Sequence, residues 1–472
     1  MKLLVSSFER LAKAPGLRPD FRLQSFLTEV FPFETRPLGE SVISLYNGAN
    51  IGPDSYAGHL ETGLIYPTVN NLKPYGLELG EVTFLEDATD ANPRLEDDDL
   101  VLGRSGTVGI SKAWDKGEVN RLVGKAVESV PSGYLIVVKL DAEKVRPRFA
   151  EYYLQTPRMR RYFDVFGVGK SQKNISQPDV LRIPFPVVAT RVQDETLDRI
   201  RPIDDEVRAL RGRVYDQAGV INQVFAEEFA FDVAEFARLS NRRVFSARLT
   251  ALVGNVDLRC SPKFHRDAAH FVKEELYSRS KKRLKDYLSE DIVLGATIAP
   301  SDYDDAGETF YVAMSSIKSW SLDEEAAHTT SDAFAKRNAA KRVRKDDIIM
   351  ARSGEGTIGK VAVMPDGIDG VHADFTMRIR VRPEDYQTPF AYYFFRSAYF
   401  QYLIEVEKKG LGNNTNIFPV QLREFPMLDA DAGTQHRVVD AIGKKFAEQA
   451  VVKEQIAGKR QEIARLVEAA LA

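Results

Sequence analysis

The segment 101-VLGRSGTVGISKAW-114 is written a second time, almost unchanged, as 348-IIMARSGEGTIGKVAV-363. Arg104-Ser105-Gly106 returns as Arg352-Ser353-Gly354. Thr107 and Gly109 return as Thr357 and Gly359, after the inserted pair Glu355-Gly356. Each copy follows an apolar run that reads as a strand, and its glycines suit a tight hairpin with unusual dihedrals. One reaction needs one site, so a duplicated motif argues against a catalytic signature. It fits a molecule that meets a two-part target.

The repeat extends well beyond the motif. Upstream, "LIYPTVNNLKPY" (Leu64 to Tyr75) answers "TFYVAMSSIKSW" (Thr309 to Trp320), with Tyr66 matching Tyr311 and Leu72 matching Ile317. Downstream, "AEYYLQTP" from Ala150 answers "AYYFFRSA" from Ala391 through Tyr152 and Tyr392. Asn174-Ile175 answers Asn416-Ile417, Ile183-Pro184 answers Phe425-Pro426, and Ile200 answers Ile442. Matched blocks in one order make two copies of a unit of roughly 240 residues, far longer than a solenoid repeat.

Each copy has the same coarse pattern. Short strands bounded by Gly, Pro, Asn and Asp come first, such as "LIVVKL" and "FTMRIRVR". One aromatic helix follows, then a polar loop, then a Pro-bearing strand ("RIPFPVV", "EFPML") suited to a sheet edge. A long helix closes the copy. In the first copy Pro202 suits a first helical turn, with Asp204, Asp205 and Glu206 at the positive end of the helix dipole. Ile203, Val207, Leu210, Val214, Gln217, Ile221 and Val224 then recur at threes and fours, as an a/d seam does. Val438, Ile442, Phe446, Ile456, Ile463 and Leu466 repeat the idea more loosely.

The expected architecture is therefore α+β: two β-rich heads in tandem, each followed by a long helix, the helices pairing as an antiparallel coiled coil. The boundaries fall at 1–190 for the first head, 191–230 for the first helix, 231–430 for the second head and 431–472 for the second helix. Each helix packing on its own head is the alternative.

Composition narrows the class. Of 472 residues, 44% are hydrophobic and 28% charged, so the chain is globular and has room for more than one domain. No apolar run approaches the roughly 18–20 residues that span a bilayer, and "MKLLVSSFER" does not read as a signal peptide. The single cysteine, Cys260, allows no internal disulfide, and a reducing cytoplasm fits. Phosphate-loop, zinc-protease and serine-hydrolase signatures are absent from the sequence, and the six histidines show no ligand spacing. The net charge of −3 gives no uniformly basic coat, though "RPR" at Arg146, "RMRR" at Arg158 and "KRNAAKRVRK" at Lys336 are local basic clusters. Each of these also reads as solvated surface.

Candidate binding residues gather where the copies match in place and differ in side chain. Arg104 with Ser105, and Arg352 with Ser353, sit at the hairpins. A guanidinium there locks the turn or reaches a phosphate. The loops holding Lys170, Gln172, Lys173 and Asn174, and Asn413, Asn414 and Asn416, are amide-rich. They read either as turns or as groups able to pair with base edges. Asn70 and Asn71, and Ser315, Ser316 and Lys318, are short polar or cationic groups at matched strand ends, expected to point outward.

Taken together, "DDIIMARSGEGTIGKVAVM", "AYYFFRSAYFQ", "GNNTNIFPVQLREFPM" and "QHRVVDAIGKKF" resemble the DNA-specificity subunit of type I restriction-modification systems. The resemblance covers nearly the whole chain, including the order head, helix, head, helix. It implies that each head is a target-recognition domain reading one half of a split double-stranded DNA site, with the helices as spacers. It implies two methyltransferase subunits as partners, bringing S-adenosylmethionine. A restriction subunit would add ATP- and Mg²⁺-dependent translocation and cleavage. The chain itself would be non-catalytic, with no cofactor of its own and no membrane partner. Residues before Arg36 and from Phe231 to Lys282 exceed the family's minimal pattern. A DNA-modifying enzyme with unrecognised motifs and a coiled-coil protein bridge are the competing readings.

Overall fold

The computed structural model describes residues 31, 33–57, 62–86, 92–166, 174–242, 244–246, 248–250, 262–354, 356–410 and 415–471. The chain forms two compact units, Met1–Val214 with Val452–Ala472, and Tyr215–Val451. No helix among the described residues is long and apolar enough to cross a membrane.

In the first unit, β1 (Val42–Asn47), β2 (Leu100–Gly103), β3 (Ser111–Ala113) and β4 (Leu135–Leu140) form an antiparallel sheet in the order β1-β4-β2-β3. Its central strands are apolar without alternation because both faces are covered. Leu100, Leu102, Ile136 and Val138 pack on one side with Phe149, Tyr153 and Phe163. Val101, Leu135 and Val137 pack on the other with Ile65, Leu72 and Trp114. Each such aromatic or aliphatic side chain contributes about 1.5–3 kcal/mol by leaving water. Phe149 belongs to α1 (Pro147–Leu154) and Phe163 to α2 (Pro157–Phe166).

The single aromatic helix expected in each copy is two helices. Thr156 Oγ1 accepts from Met159 N at 3.4 Å, and in the second unit Ser397 Oγ accepts from Phe400 N at 3.4 Å. Each hydroxyl caps a new helix where the chain turns. Among the described residues the Pro-bearing segment Pro184–Pro186 pairs with Thr35–Pro37 alone, as an edge position requires.

A larger correction concerns the first long helix. It is α3 (Thr190–Arg211) in the first unit and α4 (Gln217–Phe229) in the second. Gly212 ends the first, and the Asp216 carboxylate accepts from Gly219 N at 2.6 Å to start the next. Pro202 lies inside α3 rather than at its start. On α3, Val207 clusters with Val452 and Ile456 of the final helix (Ala432–Ala469), while Ile200 and Ile203 share a core with Ile463 and Val467. Lys459 Nζ meets Glu206 at 2.6 Å. Rising numbers on one helix meet falling numbers on the other, so the pair is antiparallel.

The second unit repeats the plan. β5 (Val293–Leu294), β6 (Ile348–Ala351), β7 (Val361–Val363) and β8 (Thr376–Ile379) lie in the order β5-β8-β6-β7, all antiparallel. α5 (Thr388–Arg396) and α6 (Ala398–Glu407) pack beneath, with Phe390, Phe394 and Phe400 in the core. α4 runs against the first part of the final helix, with Ile221, Val224 and Phe225 sharing a core with Val438 and Ile442 and with Arg437 meeting Glu228 at 2.8 Å. The helices Val233–Ser240 and Asp267–Arg279 also belong to this unit, and Phe236 stacks on Tyr399 at 5.0 Å.

Candidate functional site

The duplicated motif is the hairpin joining β2 to β3, and β6 to β7. Gly106 and Gly109 hold φ of +79° and +73°, and Gly354 and Gly359 hold +88° and +83°, a region that disfavours side chains. The last glycine of each motif has a second role. A Cβ on Gly109 would overlap the Phe163 ring of α2. A Cβ on Gly359 would lie 2.9 Å from Gln401 Oε1 and 3.0 Å from Ile404 of α6. The hairpin reading of the glycines therefore holds.

Both arginines are anchored to backbone carbonyls at the end of the sheet. The Arg104 guanidinium donates to the Gly133 carbonyl at 3.3 Å. Arg352 Nε donates to the Asp374 carbonyl at 2.9 Å, with the Asp374 carboxylate 3.7 Å away. Arg352 also lies 5.6 Å and 5.9 Å from the ring centres of Phe375 and Phe418. Each arginine is fixed at the sheet end beside a polar loop. Ile175 N donates to Arg104 O at 3.0 Å, and Ile417 N donates to Arg352 O at 2.9 Å. Ser105 is bridged to Asn174, and Ser353 to Asn416. The motif and the amide-rich loop, far apart in sequence, are thus one site in each unit. Asn416 closes its loop through paired bonds with Lys409, at 2.8 Å and 2.7 Å. Lys170, Gln172, Lys173, Asn413 and Asn414 lie outside the described residues.

The third component is the short 3-10 turn at Val69–Asn71, or Met314–Ser316. It touches the hairpin in both units: Val69 faces Gly103 and Gly106, and Met314 faces Gly354. Asn70 and Ser315 are exposed there. Two expectations fail. Asn71 caps its own turn, accepting from Thr68 N at 2.8 Å and donating to Glu78 O at 3.0 Å. Ser316 is fully buried. Lys318 is exposed and paired with Asp323 at 2.8 Å.

The fourth component was missed in the sequence. Arg104 N donates to Tyr134 O at 2.9 Å and Arg352 N to Phe375 O at 3.0 Å, so an aromatic residue enters each tip at the same place. Tyr134 is 60% and Phe375 51% exposed, unusual for rings of this size. The available signal was position: each stands directly before the strand that pairs with the motif strand.

The basic clusters are largely committed elsewhere. Arg146 pairs with Asp194 at 2.7 Å, Arg158 with Glu468 at 2.9 Å, and Arg337 with Asp302 at 2.7 Å. Arg160 of α2 donates to the Val108 carbonyl in the hairpin at 2.9 Å, and burial lowers its pKa. Behind the second tip, His372 is buried and held neutral. Burial first, then the charges of Arg378, Lys341 and Arg380, lower its pKa to about 3. Among the described residues there is no group of three or more side chains able to hold a metal. Each tip gathers a guanidinium, hydroxyls, an amide and an aromatic face. Such groups can hydrogen-bond phosphates and base edges.

No family model matches the sequence, and no curated protein matches it. Among solved structures, the chain is similar to the type I restriction-modification system S subunit from M. genitalium, with a TM-score of 0.40 at 10% identity, covering 94% of this chain and 96% of that one. It is similar to a chain from a study of complex assembly and conformational transition of the type I R-M system, with a TM-score of 0.42 at 13% identity, covering 94% and 97%. A third similarity, to the HsdS subunit from Thermoanaerobacter tengcongensis, has a TM-score of 0.30 at 12% identity and covers 93% and 97%.

Proposed function

We propose that this chain is a DNA-specificity subunit of a type I restriction-modification system, reading a bipartite, asymmetric site with one tip per half-site. The observation that carries the reading is the four-part tip built twice on the same backbone bonds, keeping the arginine and the loop asparagine and changing the residues of the turn and of the aromatic entry. Arg104, Asn174, Asn70 and Tyr134 offer the first tip amides and a phenol. Arg352, Asn416, Ser315, Asp374 and Phe375 give the second a carboxylate and a bare ring. Such sets prefer different base edges while sharing an arginine at the same place.

On this reading the chain is non-catalytic. Methyltransferase subunits dock on the assembly and supply S-adenosylmethionine. A restriction subunit, where present, supplies the ATP- and Mg²⁺-dependent work. The paired helices set the half-site spacing, about one helical turn or 34–36 Å in two-headed DNA readers.

Selection from a random duplex pool tests this directly. The wild-type chain should enrich a split, non-palindromic site. Arg352→Ala should lower affinity roughly 5- to 150-fold, as 1–3 kcal/mol of base discrimination predicts, and relax one half-site only. Equal loss on every sequence would mark Arg352 as a backbone contact. Salt-insensitive binding with no enriched sequence would remove the DNA reading and favour a protein bridge.

A further inference from the structure

A cavity of about 790 Å³ opens in the first unit, between the hairpin at Lys73 and Pro74, the end of α3 and the Val452–Ala472 part of the final helix. Arg121, Arg211, Lys453 and Arg460 line it, and among the described residues none of the four has an ion-pair partner. The nearby carboxylates are engaged elsewhere. Glu78 meets Lys73 at 3.0 Å, Glu118 meets Lys112 at 2.8 Å, and Asp204 meets Arg148 and Arg208 at 3.2 Å and 3.1 Å.

The chain makes room for this concentration of positive charge. Arg211 reaches the Pro74 carbonyl because residue 76 is glycine; a Cβ there would overlap the guanidinium. Arg460 Nε is buried without a hydrogen-bond partner. Burial lowers the pKa of Arg211, against the opposing pull of Asp204, Glu118 and Glu151, and it lowers that of Arg460, where the second cause is Arg211 itself. Two like charges are held close and partly desolvated, and among the described residues Arg460 has no carboxylate acting on it. An anion would relieve that cost. Leu79 and Ile456 give the cavity an apolar wall alongside the cations.

We propose that this cavity binds the phosphate groups of a nucleotide, with sugar or base against the apolar wall. Guanidinium forks match phosphate oxygens in bidentate geometry, and the volume lies within the range of small-ligand pockets. The nucleotide is either a free nucleoside phosphate or one residue of a nucleic-acid strand. The inference does not depend on the reading of the tips.

Calorimetric titration of the full chain with pyrophosphate, ATP and a short single-stranded oligonucleotide separates these sources. At least one probe should bind, and Arg460→Gln and Arg121→Gln should each weaken it about tenfold, as loss of a charge-assisted bond predicts. Arg121 is exposed, so its substitution leaves the fold intact. Arg460→Gln without ligand should melt no lower than wild type, because it removes a repelled cation. Arg352→Ala should leave ATP affinity unchanged. Failure of all three probes to bind, or affinities unmoved by both pocket variants, would overturn the proposal. A lower melting point for Arg460→Gln would assign that residue to the fold instead.

Discussion

Where head meets helix, the two units solve one packing problem with opposite chemistry. In the first, Lys112 is buried between Glu118 at 2.8 Å and Glu151 at 3.7 Å, and Arg148 ties Glu151, at 3.6 Å, to Asp204 of α3, at 3.2 Å. Glu151 drives the Arg148 pKa upward. In the second, the charge is a lone Arg396 among rings, 5.3 Å from Trp320 and 4.9 Å from Tyr392. It donates to Tyr392 Oη at 2.8 Å and to Gln217 Oε1 at 2.6 Å, and burial lowers its pKa. The backbone plan is indifferent to the filling. An ionic core stands or falls as a set, whereas an aromatic one loses its contacts one at a time.

The largest expected effect follows from that contrast. Glu151→Ala leaves Lys112 buried with less counter-charge and removes the acceptor of Ala113 N, 3.0 Å away. Breaking a buried pair by deleting one partner costs about 3–5 kcal/mol. Native-state hydrogen exchange should show that loss in β3 and α1 of the first unit. Unchanged protection there would mean that water already solvates the network.

Acid should weaken the second unit and spare the first at the matching place. Bridges place Ala373 beside Ala296 as Ser132 lies beside Ala49, so His372 corresponds to Pro131. Native His372 has a pKa near 3, against about 6.5 in the unfolded chain. Below pH 6.5 the unfolded chain takes up a proton that the native chain refuses. The stability is thus fully present above 6.5 and is lost as pH falls from there toward 3. At about 1.4 kcal/mol per unit, moving from pH 7 to 5 removes about 2 kcal/mol. Exchange protection of β8 should fall accordingly, and His372→Gln should flatten the dependence. A pH response surviving that substitution would assign it to other groups.

The tips and their supports were unequally legible in the sequence. The hairpins could be read because positive φ restricts the choice of residue, and both copies keep glycine there. Joining of hairpin to amide loop could not be read, since Arg104 and Asn174 meet only through a folded sheet. Ser316 misled because an alternating pattern assigns faces, and a 3-10 turn at that position rotates the face inward. The helix break was hidden by a seam of Leu210, Val214, Gln217 and Ile221 that runs straight through it; Gly212 and Asp216 were the overlooked stop and start signals. Burial of Lys112 could not be read, because its partners Glu118 and Glu151 are supplied by two different helices.

The smallest effect tests the aromatic half of the contrast. Arg396→Met keeps length and packing in the second unit while removing the charge and its bonds to Tyr392 and Gln217. Tyr392 Oη still donates to Trp320 O at 2.5 Å, so no ring hydroxyl is orphaned. A desolvated cation over aromatic faces is worth about 2 kcal/mol, Arg396 is buried, and returning the guanidinium to water offsets part of that. The substitution should therefore cost about 1 kcal/mol, several-fold less than Glu151→Ala, in exchange protection of α5. A loss as large as the ionic variant's would show that Arg396 organises its cage as tightly as Glu151 organises its network, and the two junctions would then differ in composition alone.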